Sequence, residues 1–195
     1  MNLDDHRIYL KLKASDIDNG IAYFDNELAH DTSRLVLEFD RKTETEDPDW
    51  KSKMIIDIQT CIKAVYKLWK NKIDKKHVYC HVLTRLPEKT DTMFKYGVHV
   101  IFPGIIVDRL CGERFTNHIS NIVDDVDGVY SCKTGARLRP VFSRKLLREK
   151  GVVIGASSFY DHDFSVRRDG RIYNQAFGNT FEKLIECSIL SFPLE

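Results

Sequence analysis

Apolar and polar residues alternate along several short segments of the chain, which is the period of a β-strand with one buried face. This pattern predicts strands at 7–12, 34–41, 77–84 and 95–102, with a polar loop at 86–92. Pro103-Gly104 is expected to close the fourth strand, because proline lacks the N–H that a strand ladder uses. The sequence therefore predicts a sheet built from these segments.

Between the strands the apolar period changes to that of a helix. Apolar residues recur at spacings of three and four through 50–72, at Ile55, Ile58, Ile62, Val65 and Trp69. We predict further helices at 105–122, 143–150 and 177–190, and short strands around Val129 and Leu138. Interleaved strands and helices without a linker predict a single domain over 1–195, with a mixed α+β fold in which helices pack on a sheet.

Composition narrows the class of protein. With 43% hydrophobic residues in 195, the chain can form a real core, so it is not disordered as a whole. The net charge is only +1, so any phosphate binding must come from local clusters of Lys and Arg. The five cysteines form no CxxC pair, which argues against a zinc ribbon. Since there is no secretory signal and no apolar run that spans a membrane, we expect a soluble, intracellular protein with no membrane partner.

Glu38 and Asp40 are the first candidate functional residues. Side chains two apart in a strand share a face, so Leu35, Leu37 and Phe39 would enter the core while both carboxylates project from the other side. Paired carboxylates repel unless a cation lies between them, and divalent ions prefer oxygen ligands. The alternative is an edge strand whose acidic face is simply solvated.

His99 lies in a second alternating strand, on the same face as Gly97 and Ile101. Glycine beside the histidine leaves room for a ligand or another chain segment to approach closely. A core histidine bonded to a neighbour is the alternative interpretation.

The densest positive stretch, 135–150, carries six basic residues against one acidic residue. Arginine suits bidentate phosphate contacts, and lysine acts as a point charge. A solvated helix face could account for Arg148 and Lys150, whereas Arg139, Ser143 and Lys145 are tied to neighbouring apolar residues.

Taken in order, these segments resemble the archaeo-eukaryotic primase superfamily. Its acidic pair on a strand, small-x-His strand and hydrophobic-Asp element correspond to Glu38 with Asp40, Gly97-Val98-His99, and Val126-Asp127. The likeness is greatest to the primase domain of primase-helicases from poxviruses and other large DNA viruses. That group also has, in this order along its chains, a Lys before the histidine, a Val-Tyr, a Leu-Arg and a Ser/Thr-x-Lys. Here these are Lys95, Val129-Tyr130, Leu138-Arg139 and Ser143-Arg144-Lys145, so the resemblance covers 35–145.

The resemblance implies a fold, a reaction and its ligands. The fold would be an RRM-like sheet with packed helices plus a second small α/β unit. The function would be primer synthesis on single-stranded DNA from NTP or dNTP, by a nucleotidyltransferase that uses two Mg²⁺ or Mn²⁺ ions in DNA replication, for a viral protein in the host-cell compartment where viral DNA is copied. No Gly-x-x-x-x-Gly-Lys-Ser/Thr loop occurs, so a replicative helicase would lie in another chain or a missing segment.

The resemblance also implies roles for individual residues. Glu38, Asp40 and Asp127 would bind the ions, and His99 would contact the nucleotide's phosphates. Arg139, Ser143 and Lys145, with Lys95 as a weaker candidate, would hold the triphosphate. The third carboxylate is ambiguous, because relatives place it one position further from the Val-Tyr pair than Asp127 is. That position is Val126 here, so Asp125 is the alternative to Asp127.

Three other functions remain open from the sequence. The domain could be a degenerate primase that binds nucleotide or nucleic acid in a replisome without catalysis. A metal-dependent nuclease uses similar residues, but it would degrade DNA without binding a nucleotide. A plain α/β domain without metal dependence is the third.

Overall fold

The structure of the protein is a computed structural model that describes residues 3–23, 27–28, 32–70, 72–127, 137–149 and 152–188. The helices are α1 (Leu3–Asp18), α2 (Trp50–Trp69), α3 (Arg109–Ser120) and α4 (Thr180–Glu186), with a 3-10 turn at Lys75–His77. The strands are β1 (Glu27–Leu28), β2 (Thr32–Thr43), β3 (Tyr79–Thr84), β4 (Glu88–Lys89), β5 (Phe94–Asp108), β6 (Val126–Asp127), β7 (Arg137–Leu138), β8 (Leu146–Glu149), β9 (Val152–Ala156), β10 (Asp161–Arg167) and β11 (Ile172–Tyr173). Within the described ranges, no helix combines the length and apolar character needed to cross a bilayer.

One antiparallel sheet organises the molecule. Its strands lie in the order β11-β10-β3-β5-β2-β6, and β4 pairs with the start of β5. In chain order, β2-α2-β3-β5-α3-β6 is the split βαβ arrangement that RRM domains share, with β2 and β5 at its centre. The predicted mixed α+β fold with an RRM-like sheet is confirmed.

The sheet has one apolar face, covered by α2 and α3. Leu35, Leu37 and Phe39 of β2 point to this side and are fully buried. Opposite them in register are Phe102, Val100 and Val98 of β5. The predicted stripe of α2 packs here, because Ile58, Ile62 and Val65 are also fully buried. This side holds most of the hydrophobic core and fixes the register of the two central strands.

β5 is longer than predicted because a bulge carries it past Pro103-Gly104. Leu35 pairs with Phe102, whereas Arg34 pairs with Ile106, so three residues of β5 stand unmatched between them. A side chain at Gly104 would lie 2.8 Å from the carbonyl oxygen of His77, so glycine permits this close approach. The strand continues to Asp108, whose side chain accepts a hydrogen bond from the Cys111 N–H at 2.7 Å and caps α3. The predicted helix start at 105 was therefore four residues too early.

The remaining elements lie outside the RRM-like core of the sheet. α1 packs against α4, β1 pairs with β7, and β8 pairs with β9. Arg34 of the main sheet donates hydrogen bonds to the carbonyl oxygens of Glu186 and Ser188 at the end of α4, both at 3.1 Å. β10 and β11 do not belong to a separate unit, because they extend the main sheet beyond β3.

The prediction of a strand at 7–12 was wrong, because these residues belong to α1. The buried residues of α1 are His6, Leu10, Lys13 and Ala14, which follow a helical spacing that two polar members hid from a hydrophobicity pattern. Ile8 and Leu12, which suggested alternation, are 58% and 62% exposed.

The prediction of a helix at 143–150 was also wrong. Leu146–Glu149 forms β8, which pairs with the β-branched run Val152–Ala156 as an antiparallel ladder. The strand predicted around Leu138 is confirmed as β7, and the helix predicted at 177–190 is present as the shorter α4. The strand predicted around Val129 lies outside the described residues.

Candidate active site

Three candidate residues lie side by side across the second face of the sheet. Glu38 of β2 is paired with His99 of β5 on one side and with Asp127 of β6 on the other. Side chains of directly opposite residues in antiparallel strands share a face, with Cβ atoms about 5 Å apart. Asp40 is on the same face two residues along β2, opposite Gly97. We call Asp127, Glu38 and His99 the catalytic row, after the roles that the resemblance to primases implies for them.

The two candidates for the third carboxylate face different ways. Asp125 has a positive φ of 64°, and its side chain forms an ion pair at 2.9 Å with Arg41, which also pairs with Asp57 of α2. Arg41 and Asp57 belong to the helix-covered face. Asp127 instead joins the ladder opposite Glu38 and is exposed. The geometry thus favours Asp127 as the partner of Glu38, and its role as a ligand stays a prediction.

Glu38 and His99 form a coupled pair. Nε2 of His99 lies 3.3 Å from Oε1 of Glu38. Burial acts to raise the pKa of Glu38, but the hydrogen bond from His99 and the charges of Arg139 and Arg85 outweigh it and lower that pKa. Burial lowers the pKa of His99, which is fully buried. The pair is therefore a carboxylate beside a neutral imidazole.

The ionised state of Glu38 fixes the tautomer of His99. Nε2 must carry the proton, because a carboxylate can only accept. Nδ1 is then an acceptor, and it has no hydrogen-bond partner among the residues that the structure describes. In this arrangement His99 orients Glu38 and has no free N–H to offer a phosphate.

Tyr160 covers the histidine. Its ring stacks on His99 with centroids 3.7 Å apart and an interplanar angle of 20°, and Tyr160 is only 1% exposed. A Cβ at Gly97 would collide with the Tyr160 hydroxyl and lie 2.6 Å from Nε of Arg85. The sequence predicted that Gly97 leaves room for a close approach, and that space is filled by Tyr160 and Arg85.

Two arginines flank the row. The guanidinium carbons of Arg139 and Arg85 lie 5.0 Å and 5.8 Å from the centre of the Tyr160 ring. Arg139 also donates to Oγ of Ser157 at 3.3 Å, whereas Arg85 pairs with Glu88 at 2.6 Å. Their charges act on both Glu38 and His99. The predicted residue Arg139 is thus brought to the row.

The other predicted phosphate ligands are placed differently. Ser143 is fully buried and accepts a hydrogen bond from the buried Lys13 at 3.0 Å, so it faces the interior instead of an open cradle. Lys145 is exposed, and its backbone N–H donates to Ser157 at 2.9 Å. Lys95 is on the same face of β5 as His99 but lies near the start of the strand. There it pairs with Lys42 of β2 on one side and with Glu88 of β4 on the other. Their roles in binding phosphate stay predictions.

The carboxylates suit a divalent metal in chemistry and in backbone placement. Three acidic residues share one patch of the sheet, and two of them are directly opposite, where like charges destabilise a sheet unless they are neutralised. However, the described side chains do not converge into a group of three or more potential ligands. Glu38 turns to His99, and Asp40 turns to Lys42, whose Nζ is 3.4 Å away. Metal binding would therefore require these two side chains to change rotamer.

Sequence reasoning missed Tyr160, Arg85 and Ser157. None belongs to a recognisable motif, and all three reach the row through tertiary packing. Arg85 directly follows β3, which was correctly predicted as a strand, so the end of that strand was the only local signal.

The chain matches a known protein family. The family model described as the C962R protein N-terminal AEP domain matches residues 3–132, which is two thirds of the chain. The match includes Glu38, Asp40, His99 and Asp127, and it ends before the basic segment. No match was found among curated proteins. The chain therefore belongs to the family of the C962R protein N-terminal AEP domain, the archaeo-eukaryotic primase domain of a viral primase-helicase.

Proposed function

We propose that this domain makes primers on single-stranded DNA by nucleotidyl transfer from NTP or dNTP, during the replication of viral DNA. The observation that carries the proposal is the catalytic row, in which Glu38 lies between Asp127 and His99 on the face of the sheet opposite α2 and α3. Membership of the primase family supports the reaction class, and the row would supply the acidic centre that the reaction needs.

Glu38, Asp40 and Asp127 would hold two Mg²⁺ or Mn²⁺ ions. When bound, such ions activate a 3′-hydroxyl and neutralise charge on the transferred phosphate. Glu38 is already ionised, since the charges of Arg139 and Arg85 and the hydrogen bond from His99 keep its pKa low despite burial. The carboxylate would therefore bind a cation at neutral pH without first losing a proton, once its side chain turns from His99 towards the ions.

Arg139 would bind the nucleotide's phosphates, with Arg85 beside it. Arginine is permanently charged and can contact phosphate oxygens in a bidentate manner. Both guanidinium groups lie against Tyr160, close enough to the row for their charges to act on Glu38. Lys145 would add a further charge from the exposed edge, and Lys95 a weaker one.

We assign His99 chiefly the task of orienting Glu38. Its one N–H faces that carboxylate, and Tyr160 covers its ring. A direct contact from His99 to a phosphate, as the resemblance implies, would require Tyr160 to move away and the tautomer to change.

Primer synthesis tests the proposal. Wild type and Asp40→Asn are compared on single-stranded DNA with labelled nucleotides and Mn²⁺, with Asp91→Asn as a control because Asp91 is an exposed carboxylate in the turn before β5. We expect products from wild type and the control, and a loss on the order of a thousandfold for Asp40→Asn, which corresponds to about 4 kcal/mol of barrier. Equal products from Asp40→Asn would contradict the assignment.

A degenerate primase is the second candidate, because the described carboxylates do not converge into a ready group of ligands. Such a domain would bind nucleotide or single-stranded DNA and synthesise nothing. Nucleotide binding in Mn²⁺ without any product from the wild-type protein would favour this candidate. DNA degradation in the same reactions would indicate a nuclease instead.

A further inference from the structure

A cleft beside the catalytic row has no role in the proposed chemistry. It measures about 410 Å³ and is lined by residues from the start of α2, the end of β3 and the segment before β10. Its apolar wall includes Trp50, Leu86 and Phe159. Pockets of about 300 to 1,000 Å³ are typical of small-molecule sites, so this cleft is large enough for one nucleotide unit.

The cleft combines aromatic and positive groups. The guanidinium of Arg144 lies over the Phe159 ring, 5.1 Å from its centre, and we call these two groups the Phe159–Arg144 platform. Lys51 and Arg85 add positive charge to the lining. The one carboxylate there, Asp161, pairs with Lys183 at 3.0 Å, and Lys51 pairs with Asp163 at 2.6 Å.

Arg144 is the cation of the lining that remains available. It makes no ion pair with a carboxylate in the described part of the chain, whereas Lys51 and Arg85 do. An unpaired guanidinium on an aromatic ring suits a ligand that is both planar and anionic. Nucleic-acid strands are such ligands, because their bases stack on aromatic rings and their phosphates bind arginine.

The cleft adjoins the row through two residues. Arg85 lines the cleft and also acts electrostatically on Glu38. Phe159 directly precedes Tyr160, which stacks on His99. The guanidinium groups of Arg139 and Arg85 lie against the Tyr160 ring, which stacks on His99 of the row, whereas that of Arg144 lies over the Phe159 ring. Arg144 is thus placed for a phosphate other than those at the row.

We propose that this cleft is a subsite for single-stranded DNA, in which one template base stacks on the Phe159–Arg144 platform and its phosphate binds Arg144. The inference rests on the proposed function, because it takes the strand beside the row to be the template. Its Phe159–Arg144 platform lies outside the part of the chain matched by the family model, whereas Trp50 and Arg85 lie within it.

Binding of a fluorescent single-stranded oligonucleotide tests the proposal in the full chain, measured by anisotropy over a range of salt concentrations. Phe159→Leu should weaken binding about 5- to 150-fold, the range for loss of one base stack, and Phe159→Trp should restore it. Arg144→Gln should weaken binding and lower the slope of log affinity against log salt by about one. Arg114→Gln, at an exposed position of α3, makes the same charge change and should have less than a twofold effect.

Binding of a dNTP with Mn²⁺ is measured in parallel on the same variants, after thermal unfolding has shown each to be folded. Loss of dNTP binding in Phe159→Leu with unchanged DNA binding would assign the cleft to the incoming nucleotide and overturn the proposal. Unchanged binding of both ligands, or no DNA binding by wild type, would also overturn it. If DNA binding depends on Phe159 but wild type makes no primers, the subsite stands and the proposed function fails.

Discussion

Glu38 shows how the site keeps a carboxylate charged in a partly buried position. Its side chain is 25% exposed, so burial alone would favour the protonated form. His99, Arg139 and Arg85 surround it, and together they lower its pKa. Such a group is available to bind a cation at neutral pH without first losing a proton.

Gly97 is the residue at which added volume should matter most. We expect Gly97→Ala to destabilise the fold by about 1–3 kcal/mol, because its Cβ would collide with Tyr160 and Arg85 in a packed interior. Chemical denaturation measures this change. Gly155→Ala is the matched control, since no heavy atom lies within 4 Å of a Cβ there. Equal stability of the two variants would show that Tyr160 can leave its stacked position at little cost.

His162 predicts how stability depends on pH. Burial, with the nearby charges of His81 and Lys183, lowers its pKa from 6.5 to about 4. Between these values the unfolded chain takes up a proton that the folded chain does not, so the free energy of unfolding should fall as pH decreases from 7 to 5. His99 contributes in the same direction, because burial also lowers its pKa.

Denaturation at pH 7 and pH 5 tests this expectation in wild type and in His162→Asn. The variant should lose part of the pH dependence. A wild-type protein that is equally stable, or more stable, at pH 5 would contradict the assignment of a neutral, half-buried imidazole at His162.

Among the secondary-structure elements, α2 stabilises the sheet that carries the row. Its inner face packs on β2, β3 and β5, and its Trp50 ring lies 5.2 Å from Tyr96 of β5. The opposite faces of β2 and β5 carry Glu38 and His99. Packing on one side of the sheet therefore holds the catalytic row in register on the other.

Two isoleucines of α2 allow the contribution of burial to stability to be measured apart from that of helix propensity. Ile58 is fully buried and Ile56 is 62% exposed. We expect Ile58→Ala to reduce the free energy of unfolding by about 2–5 kcal/mol, the range for truncating a core side chain. Ile56→Ala should change it by about 0.5 kcal/mol or less. Similar losses from both variants in urea denaturation would contradict the packing described.

The central elements could be predicted from the sequence because each has a clear period. The stripe of α2 and the alternation of β2 follow from which side faces the core. α1 could not be predicted, because His6 and Lys13 occupy positions on its buried face that a hydrophobicity pattern counts as polar. β8 could not be distinguished from a helix by its pattern, because it contains charged residues. Its pairing with β9 is evident only in the folded structure.

At the scale of the whole molecule, the site is assembled from segments far apart in the chain. The strands β2, β5 and β6 supply the row, and the segment from 139 to 160 supplies Arg139, Ser157 and Tyr160 above it. The shared face of Glu38 and Asp40 could be predicted from alternation. The pairing of Asp127 with Glu38 depends on register, and the stacking of Tyr160 on His99 depends on packing, so neither was evident locally.

The most direct test of the account compares Asp127→Asn with Asp125→Asn in primer synthesis on single-stranded DNA with Mn²⁺. Asp125 has a positive φ, which asparagine tolerates, and it pairs with Arg41 on the other face of the sheet. The account predicts that Asp127→Asn loses synthesis by about a hundredfold or more, which corresponds to about 2.7 kcal/mol or more. Asp125→Asn should keep activity within a few fold of wild type. Full activity of Asp127→Asn, or a selective loss in Asp125→Asn, would contradict the catalytic row as the centre of the reaction.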